Sequence, residues 1–88
     1  MWRLVFYRTA RGDSPVLDYL DTIGEREAAR VTRDLELLRS YGLELGAPLV
    51  KKIRGKVWEL RTGGRIQHRV LYAAILGQQL VLRHAFTK

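Results

Sequence analysis

The sequence predicts a single α+β domain over residues 1–88, with two N-terminal helices packed on an antiparallel sheet in the order β-α-α-β-β-β. Three observations support this fold class. An aromatic and β-branched run without breakers opens the chain at residues 2–7. Two segments with helical periodicity follow, and three strand-like runs separated by turn signals fill the second half. A chain of 88 residues has room for one hydrophobic core.

The two helices are predicted from their capping residues and their apolar stripes. Asp13 or Ser14 can cap the first helix, and Pro15 suits its first turn, where a missing N–H costs nothing. Gly24 ends this helix and Gly42 ends the second one. The stripes are Val16, Leu17, Leu20 and Ile23 in the first helix, and Ala28, Val31, Leu35 and Leu38 in the second.

The second half of the chain is predicted to begin with a loop, because Pro48 argues against a strand through residues 46–49. Glycines in the sequence then mark two hairpin turns, at Gly63-Gly64 and at Gly77-Gln78. The predicted strands run from Lys56 to Thr62, from Arg65 to Leu76 and from Gln79 to Phe86.

Positive charge is concentrated in the second half of the chain. Residues 1–46 carry seven Lys/Arg and eight Asp/Glu, a net charge of −1. Residues 47–88 carry nine Lys/Arg and one acid, Glu59, a net charge of +8, which gives the chain its +7. A basic half interleaved with aromatic residues is typical of proteins that bind phosphates or an acidic partner. We therefore expect the first half to be scaffold and the second to carry the function.

The composition also narrows the chemistry. The chain has no cysteine and only two histidines, so we expect no disulfide, no structural zinc site and no small-molecule cofactor. No apolar run approaches the roughly 20 residues of a membrane span, and arginines interrupt the first residues. We expect a cytoplasmic protein that does not contact membranes.

Alternation along the predicted strands sorts the polar side chains between the two faces of the sheet. Glu59 and Arg61 are expected on the open face, away from the helices, with Arg69 beside Arg61. His68 falls on the opposite face, where a hydrogen-bonded structural histidine is the expectation. The register of the last strand is open, and a slip of one residue decides whether Arg83 or His84 faces outward. The residues expected in the core of the sheet are Trp58, Leu60, Val70 and Tyr72.

The residues expected on the open face suit phosphoryl chemistry on RNA. Cations stabilise the extra charge of a pentacovalent phosphate, and a base must take the proton of the 2′-hydroxyl. Glu59 is the only carboxylate in the basic half. An ordinary surface ion pair between Glu59 and Arg61 is an equally good interpretation of the sequence. The basic run over residues 51–56 fits either a solvated cluster or a phosphate contact.

Four segments spread along the chain match, in order, the segments of a known family: Gly12–Leu20 (GDSPVLDYL), Ile53–Arg61 (IRGKVWELR), His68–Tyr72 (HRVLY) and His84–Lys88 (HAFTK). Together they resemble the phage-derived Gp49-like, HigB-type branch of the RelE/ParE toxins. The resemblance implies a microbial-RNase-like fold and the toxin of a type II toxin–antitoxin pair. It also implies ribosome-dependent cleavage of messenger RNA without a metal, and neutralisation by a cognate antitoxin, typically a helix-turn-helix protein.

The resemblance assigns site roles residue by residue. Arg69 matches the arginine that contacts the scissile phosphate, and Arg61 matches the arginine of the Glu-Leu-Arg strand motif. Lys88 matches the first lysine of the C-terminal Phe-x-Lys-Lys segment, and His84 lies just before that segment, where it could act as acid or base. Glu59 stands where RelE has a lysine, so its role does not transfer. The family pattern continues beyond this lysine with basic and hydroxyl-bearing residues, so the resemblance covers it only up to Lys88.

The leading hypothesis from the sequence is therefore an endoribonuclease toxin that acts on ribosome-bound messenger RNA. Two alternatives stay open: a ParE-like toxin that inhibits DNA gyrase by protein contact, and a basic RNA-binding module without catalysis. The expected catalytic residues are Arg69, Arg61, Glu59, Lys88 and His84. The expected contacts to the RNA backbone are Lys51, Lys52, Arg54, Lys56 and Arg83.

Overall fold

The computed structural model describes all 88 residues and has two layers, a five-stranded sheet and two helices packed on one of its faces. The helices are α1 (Pro15–Thr22) and α2 (Glu25–Tyr41), and a short 3₁₀ turn (Gly42–Glu44) follows α2. The strands are β1 (Arg3–Phe6), β2 (Val50–Arg54), β3 (Val57–Gly63), β4 (Gln67–Ile75) and β5 (Gln79–Thr87). This arrangement confirms the predicted α+β class.

The sheet is mixed rather than wholly antiparallel. Its strand order is β1-β5-β4-β3-β2; β2 to β5 form an antiparallel meander, and β1 pairs parallel to β5. The parallel pair arises because the chain leaves β1, crosses one face of the sheet through α1 and α2, and then reverses three times before β5. The first and last strands of the chain thus lie side by side in the sheet.

The structure contains a strand that the sequence pattern did not predict. β2 covers Val50–Arg54, where a loop and a basic run were expected. Four of its five residues are exposed, because β2 is an edge strand and one of its sides has no neighbour. Charged side chains on such a strand discourage pairing with another sheet, and they also remove the apolar alternation by which a strand is recognised.

Local sequence features account for the ends of the helices. The Ser14 hydroxyl accepts a hydrogen bond from the Leu17 N–H at 3.3 Å, and Pro15 occupies the first turn of α1. Gly42 ends α2 with a φ of 55°. A Cβ at this position would collide with the indole ring of Trp2, so the residue must be glycine for two independent reasons.

The turn between β3 and β4 is longer than predicted. β3 ends at Gly63 and β4 begins at Gln67, so three residues connect the paired ends instead of the Gly63-Gly64 dipeptide alone. Gly63 has a φ of 105°, and a Cβ there would collide with the Ile66 carbonyl oxygen. The second hairpin turn lies at the predicted place but is also one residue longer, because β4 ends at Ile75 and the turn comprises Leu76, Gly77 and Gln78. Gly77 and Gln78 both have positive φ.

The core lies between the helices and the inner face of the sheet. It comprises residues from both helices and from β2 to β5, namely Val16, Val31, Leu35, Leu38, Val50, Leu60, Val70, Tyr72, Leu80, Leu82 and Ala85. The predicted burial of Leu60, Val70 and Tyr72 is confirmed, and Trp58 packs against the cluster while staying partly exposed. The opposite face of the sheet carries no helix. None of the helices is long and apolar enough to span a membrane.

Candidate functional site

The register of the sheet places the expected site residues in two adjacent rows across the open face. Arg61 on β3 lies opposite Arg69 on β4, which in turn lies opposite Phe86 on β5. Cross-strand partners project from the same face, so Arg61 and Arg69 are neighbours, as alternation predicted.

The second row runs parallel to the first, two residues further along the strands. Glu59 lies opposite Leu71, and Leu71 lies opposite His84. Neighbouring strands are roughly 4.8 Å apart, so the backbones of Glu59 and His84 are separated by about 10 Å. A carboxylate and an imidazole thus stand on either side of Leu71 on one surface.

Glu59 joins the two arginines. Its Oε1 accepts a hydrogen bond from Arg61 Nε at 3.2 Å and lies 3.6 Å from Arg69 Nε. The Glu59 side chain is only 13 % exposed, whereas that of Arg61 is 36 % exposed. The carboxylate therefore sits at the base of the cluster with Arg61 above it. Both arginine contacts are made by Oε1, so neither of them uses Oε2.

Arg69 is the most restrained cation of this cluster. Its Nη1 donates hydrogen bonds to the His68 carbonyl oxygen at 3.1 Å and to Gln67 Oε1 at 3.3 Å. With the side chain 9 % exposed, the guanidinium presents a small part of its surface to solvent. A guanidinium has five N–H donors, so these contacts leave donors for a further anion. Arg69 is held in place before any ligand arrives, whereas Arg61 is freer to adapt.

A β-bulge decides the orientation of His84. The register between β4 and β5 shifts at Leu71/Tyr72, where Tyr72 pairs with Leu82 and Leu71 pairs with His84, so Arg83 is the extra residue. Leu82 therefore faces the core while His84 is exposed on the open face. The His84 ring stacks on Phe86 with 6.0 Å between ring centroids and 27° between their planes. The alternative that the sequence left open is settled in favour of an outward-facing histidine.

Lys88 lies next to the strand that carries Arg69. Its main-chain N–H donates to the Gln67 carbonyl oxygen at 2.9 Å, directly beyond the end of β5. Continued alternation after Phe86 places Lys88 on the open face as well.

The basic residues expected to contact RNA do not form one continuous patch. Lys51 lies opposite Glu59, and Arg54 lies opposite Val57 beyond a register shift, so both belong to the open face. Lys52 instead lies opposite Trp58, with its ammonium 5.6 Å from the ring centroid, on the side of the helices. Lys56 and Arg83 lie apart from these three residues. Lys56 is in the β2–β3 turn, and the Arg83 guanidinium is 5.4 Å from the ring of Tyr7, at the β1 edge of the sheet.

On the helix side, a chain of hydrogen bonds joins residues that sequence reasoning did not connect. His68 is 1 % exposed, and its Nε2 lies 2.8 Å from Glu27 Oε1. Its Nδ1 lies 2.6 Å from the Tyr19 hydroxyl, which lies 2.6 Å from Thr87 Oγ1. The expectation of a buried, hydrogen-bonded His68 is confirmed. Its partners are 41 and 49 residues away, a distance over which no sequence motif could have indicated them.

Two further observations concern possible binding sites. No group of three or more His, Cys, Asp and Glu side chains in the structure is placed to hold a metal ion. An apolar cleft of about 660 Å³ lies between β1, α1 and α2. Its lining includes Trp2, Leu4, Phe6, Leu17, Leu20 and Leu35.

The uncovered sheet face of this α+β domain thus carries a carboxylate, two arginines and a histidine, groups that can donate hydrogen bonds to an anion and exchange protons. A family model described as "Phage derived protein Gp49-like (DUF891)" matches residues 18–88. The match covers most of the chain, which therefore belongs to the Gp49-like family. This is a toxin-like family, of the type found in toxin–antitoxin pairs. A search of curated proteins found no match.

Proposed function

We propose that this chain is the toxin of a type II toxin–antitoxin pair and that it cleaves ribosome-bound messenger RNA as a metal-independent endoribonuclease. Membership of the Gp49-like family supports the toxin role. The observation that carries the nuclease role is the cluster on the open face, in which Glu59 lies between Arg61 and Arg69 and shares a row with His84.

The cluster contains the groups that cleavage of RNA by its own 2′-hydroxyl requires. Glu59 takes the proton as the 2′-oxygen attacks the adjacent phosphorus, and His84 on the other side of Leu71 donates a proton to the departing 5′-oxygen. The O–P bond to the 2′-oxygen forms while the bond to the 5′-oxygen breaks. The products are a 2′,3′-cyclic phosphate and a 5′-hydroxyl.

The cations stabilise the charge that develops on the phosphate. Arg61 is the exposed cation that meets the phosphate first, and the pre-oriented Arg69 contributes donors from beneath it. Lys88, on the same face, offsets the charge of the phosphate or of the leaving oxygen. An aligned guanidinium with no reorganisation to undergo is worth more in the transition state than a mobile one.

Phe86 adds a place for a nucleobase. It lies directly opposite Arg69, is partly exposed, and is stacked on His84. Unpaired bases of single-stranded RNA stack on aromatic side chains in this way. A base next to the scissile phosphate would thus rest on Phe86 while Lys51 and Arg54 hold the backbone. Lys52, Lys56 and Arg83 contact RNA or ribosome outside this cluster.

The open face also suits the partner that a toxin requires. Beside the charged rows lies an apolar row in which Val57, Ala73, Val81 and Val5 are cross-strand neighbours. These side chains project away from the helices, next to Lys51 and Arg54. An acidic amphipathic segment of a helix-turn-helix antitoxin would complement both the apolar row and the cations, and binding would stabilise the toxin by mass action.

Primer extension on translating ribosomes tests the nuclease role. Wild type should produce cuts in a defined message at ribosome-occupied codons, and Arg69→Ala should abolish them. Arg26→Ala is the matched control, because Arg26 is an exposed arginine of α2 on the other side of the molecule. Equal cutting by wild type and Arg69→Ala would contradict the assignment. Intact message together with DNA damage in cells would favour a gyrase poison instead.

A second candidate function is an RNA-binding module without catalysis. It is favoured by the ion pairs of Glu59 and the low exposure of Arg69, which are also the features of a static cluster. Its signature would be RNA binding that weakens steeply with salt, with no cleavage on the ribosome.

A further inference from the structure

A chain of four side chains ties α1, α2, β4 and β5 together at one end of the sheet. Glu27, His68, Tyr19 and Thr87 are linked by contacts of 2.8, 2.6 and 2.6 Å, and we call these four residues the anchor chain. The Tyr19 ring also packs edge-on against the His68 ring, with 5.7 Å between centroids and 74° between planes. No other hydrogen-bonded side-chain set in the structure joins four elements.

The chemistry of the four groups determines which group donates and which accepts in each hydrogen bond of the anchor chain. A carboxylate only accepts, so His68 Nε2 donates to Glu27 Oε1. With the imidazole neutral, Nδ1 then accepts from the Tyr19 hydroxyl, and the Tyr19 oxygen is left to accept from Thr87. Every member therefore has a defined role, and removal of the Tyr19 hydroxyl alone breaks two of the three contacts.

The same stretch of β4 holds the Arg69 guanidinium on the opposite face. His68 uses its side chain for the anchor chain and its carbonyl oxygen to accept from Arg69 Nη1. Gln67 uses its side chain to accept from Arg69 and its carbonyl oxygen to accept from Lys88 N–H. Thr87 is the cross-strand partner of His68. Two of the contacts that orient Arg69 thus come from the strand segment that the anchor chain fixes to the helices.

We propose that the anchor chain is a positioning device for Arg69, with Tyr19 as the link that joins the helices to both strands. When the anchor chain is intact, residues 67–69 keep a fixed position and orientation relative to α1 and α2, and the Arg69 guanidinium keeps one orientation. When the anchor chain is broken, residues 67–69 become more mobile and the Arg69 guanidinium no longer keeps that orientation. The consequence for catalysis rests on the proposed nuclease function, whereas the effect on Arg69 does not.

The orientation of Arg69 can be measured without any substrate. In NMR spectra of ¹⁵N-labelled protein, an immobilised guanidinium gives separate, slowly exchanging Nη–H signals, and a mobile one gives a single averaged signal. We expect separate Arg69 signals in wild type and an averaged signal in Tyr19→Phe, which retains the ring but not the hydroxyl. Tyr41→Phe is the matched control, since Tyr41 is 52 % exposed and makes no side-chain hydrogen bond. Unchanged Arg69 signals in folded Tyr19→Phe would overturn the proposal.

A pair of substitutions at Glu27 covers the case in which Tyr19→Phe does not fold. Glu27→Gln retains an acceptor for His68 and should preserve the Arg69 signals, whereas Glu27→Leu should average them. Identical spectra for the two variants would also overturn the proposal.

Kinetics on ribosomes then separate this proposal from the function on which it rests. Tyr19→Phe should lower kcat about 10- to 100-fold with KM within about twofold, the pattern of lost alignment rather than lost binding. If wild type cleaves no message but the Arg69 signals respond as expected, the nuclease function fails and the positioning role stands. If wild type cleaves and Tyr19→Phe retains both full kcat and the Arg69 signals, the positioning role fails and the nuclease stands.

Discussion

Glu59 and His84 stand in one cross-strand row of the open face, separated by Leu71, while Arg61 and Arg69 occupy the adjacent row. In the proposed mechanism the scissile phosphate lies between this carboxylate and this imidazole, where both arginines contact it. In the proposed mechanism the two groups act on opposite ends of the same bond change, so neither works at full rate without the other.

Glu59→Gln and His84→Gln should each lower the cleavage rate on ribosomes about 10²- to 10⁴-fold, because each removes one proton-transfer group. The double variant should fall little further, since groups that act as a unit give non-additive losses. Single-turnover cleavage rates of the four proteins measure this coupling. Fully multiplicative losses would show that the two residues do not act in one step.

Phe86→Leu should weaken binding of a short single-stranded RNA that is 2′-O-methylated to prevent cleavage. The loss of one stacked base costs about 1–3 kcal/mol, or roughly 5- to 150-fold in Kd. Because leucine removes no charge, the slope of log Kd against log salt should not change, whereas Arg61→Ala should reduce it by about one phosphate contact. Phe86→Tyr is the control that retains a stacking ring. Equal affinity of Phe86→Leu and wild type would remove Phe86 from the site.

Thr62→Val should destabilise the fold by about 1–3 kcal/mol, because it leaves a buried carboxylate without its donor. Thr62 Oγ1 donates to Asp34 Oδ2 at 2.5 Å, and both residues are buried between β3 and α2. Urea unfolding measures the change. Adding Asp34→Leu to Thr62→Val should recover part of the loss, since replacing both partners with apolar groups removes the carboxylate whose Oδ2 has lost its donor. No recovery would mean that Asp34 stabilises the fold in another way.

Tyr72→Phe should protect the fold against alkaline unfolding. Burial raises the pKa of Tyr72 from 10.0 to about 12, because the ionised phenol would lose its hydration in the core. Between these pH values the unfolded chain releases this proton and the folded chain retains it, so the free energy of unfolding falls as pH rises from 10 to 12. This group accounts for about 2–3 kcal/mol of that fall. Urea unfolding of wild type and Tyr72→Phe at pH 9 and at pH 12 measures this fall, with the exposed Tyr41→Phe as control. An equal fall in the free energy of unfolding of wild type and Tyr72→Phe would contradict the prediction.

Much of the open face followed from residue alternation alone. The outward projection of Glu59 and Arg61 and the burial of Leu60, Val70 and Tyr72 need only the period of a strand. The position of Arg69 directly opposite Arg61 depends in addition on the β3–β4 turn, which is longer than the predicted Gly63-Gly64 dipeptide and pairs Gly63 with Gln67.

Other features depend on contacts that no local pattern encodes. The outward orientation of His84 depends on one extra residue in β5, and the sequence around Arg83 gives no sign of that bulge. Lys51 and Lys52 lie on opposite faces because side chains alternate along β2, a strand that the sequence analysis did not predict. The anchor chain pairs residues more than 40 positions apart, so only the folded chain reveals it.

The most direct test of the proposed function is cleavage of a ribosome-bound message that carries a single 2′-deoxynucleotide at the mapped cut site. We expect this message to stay intact at that site while an all-ribose message is cut there, leaving a 2′,3′-cyclic phosphate and a 5′-hydroxyl. Undiminished cutting at the 2′-deoxy position would contradict the attack of the 2′-hydroxyl and, with it, the roles assigned to Glu59 and His84.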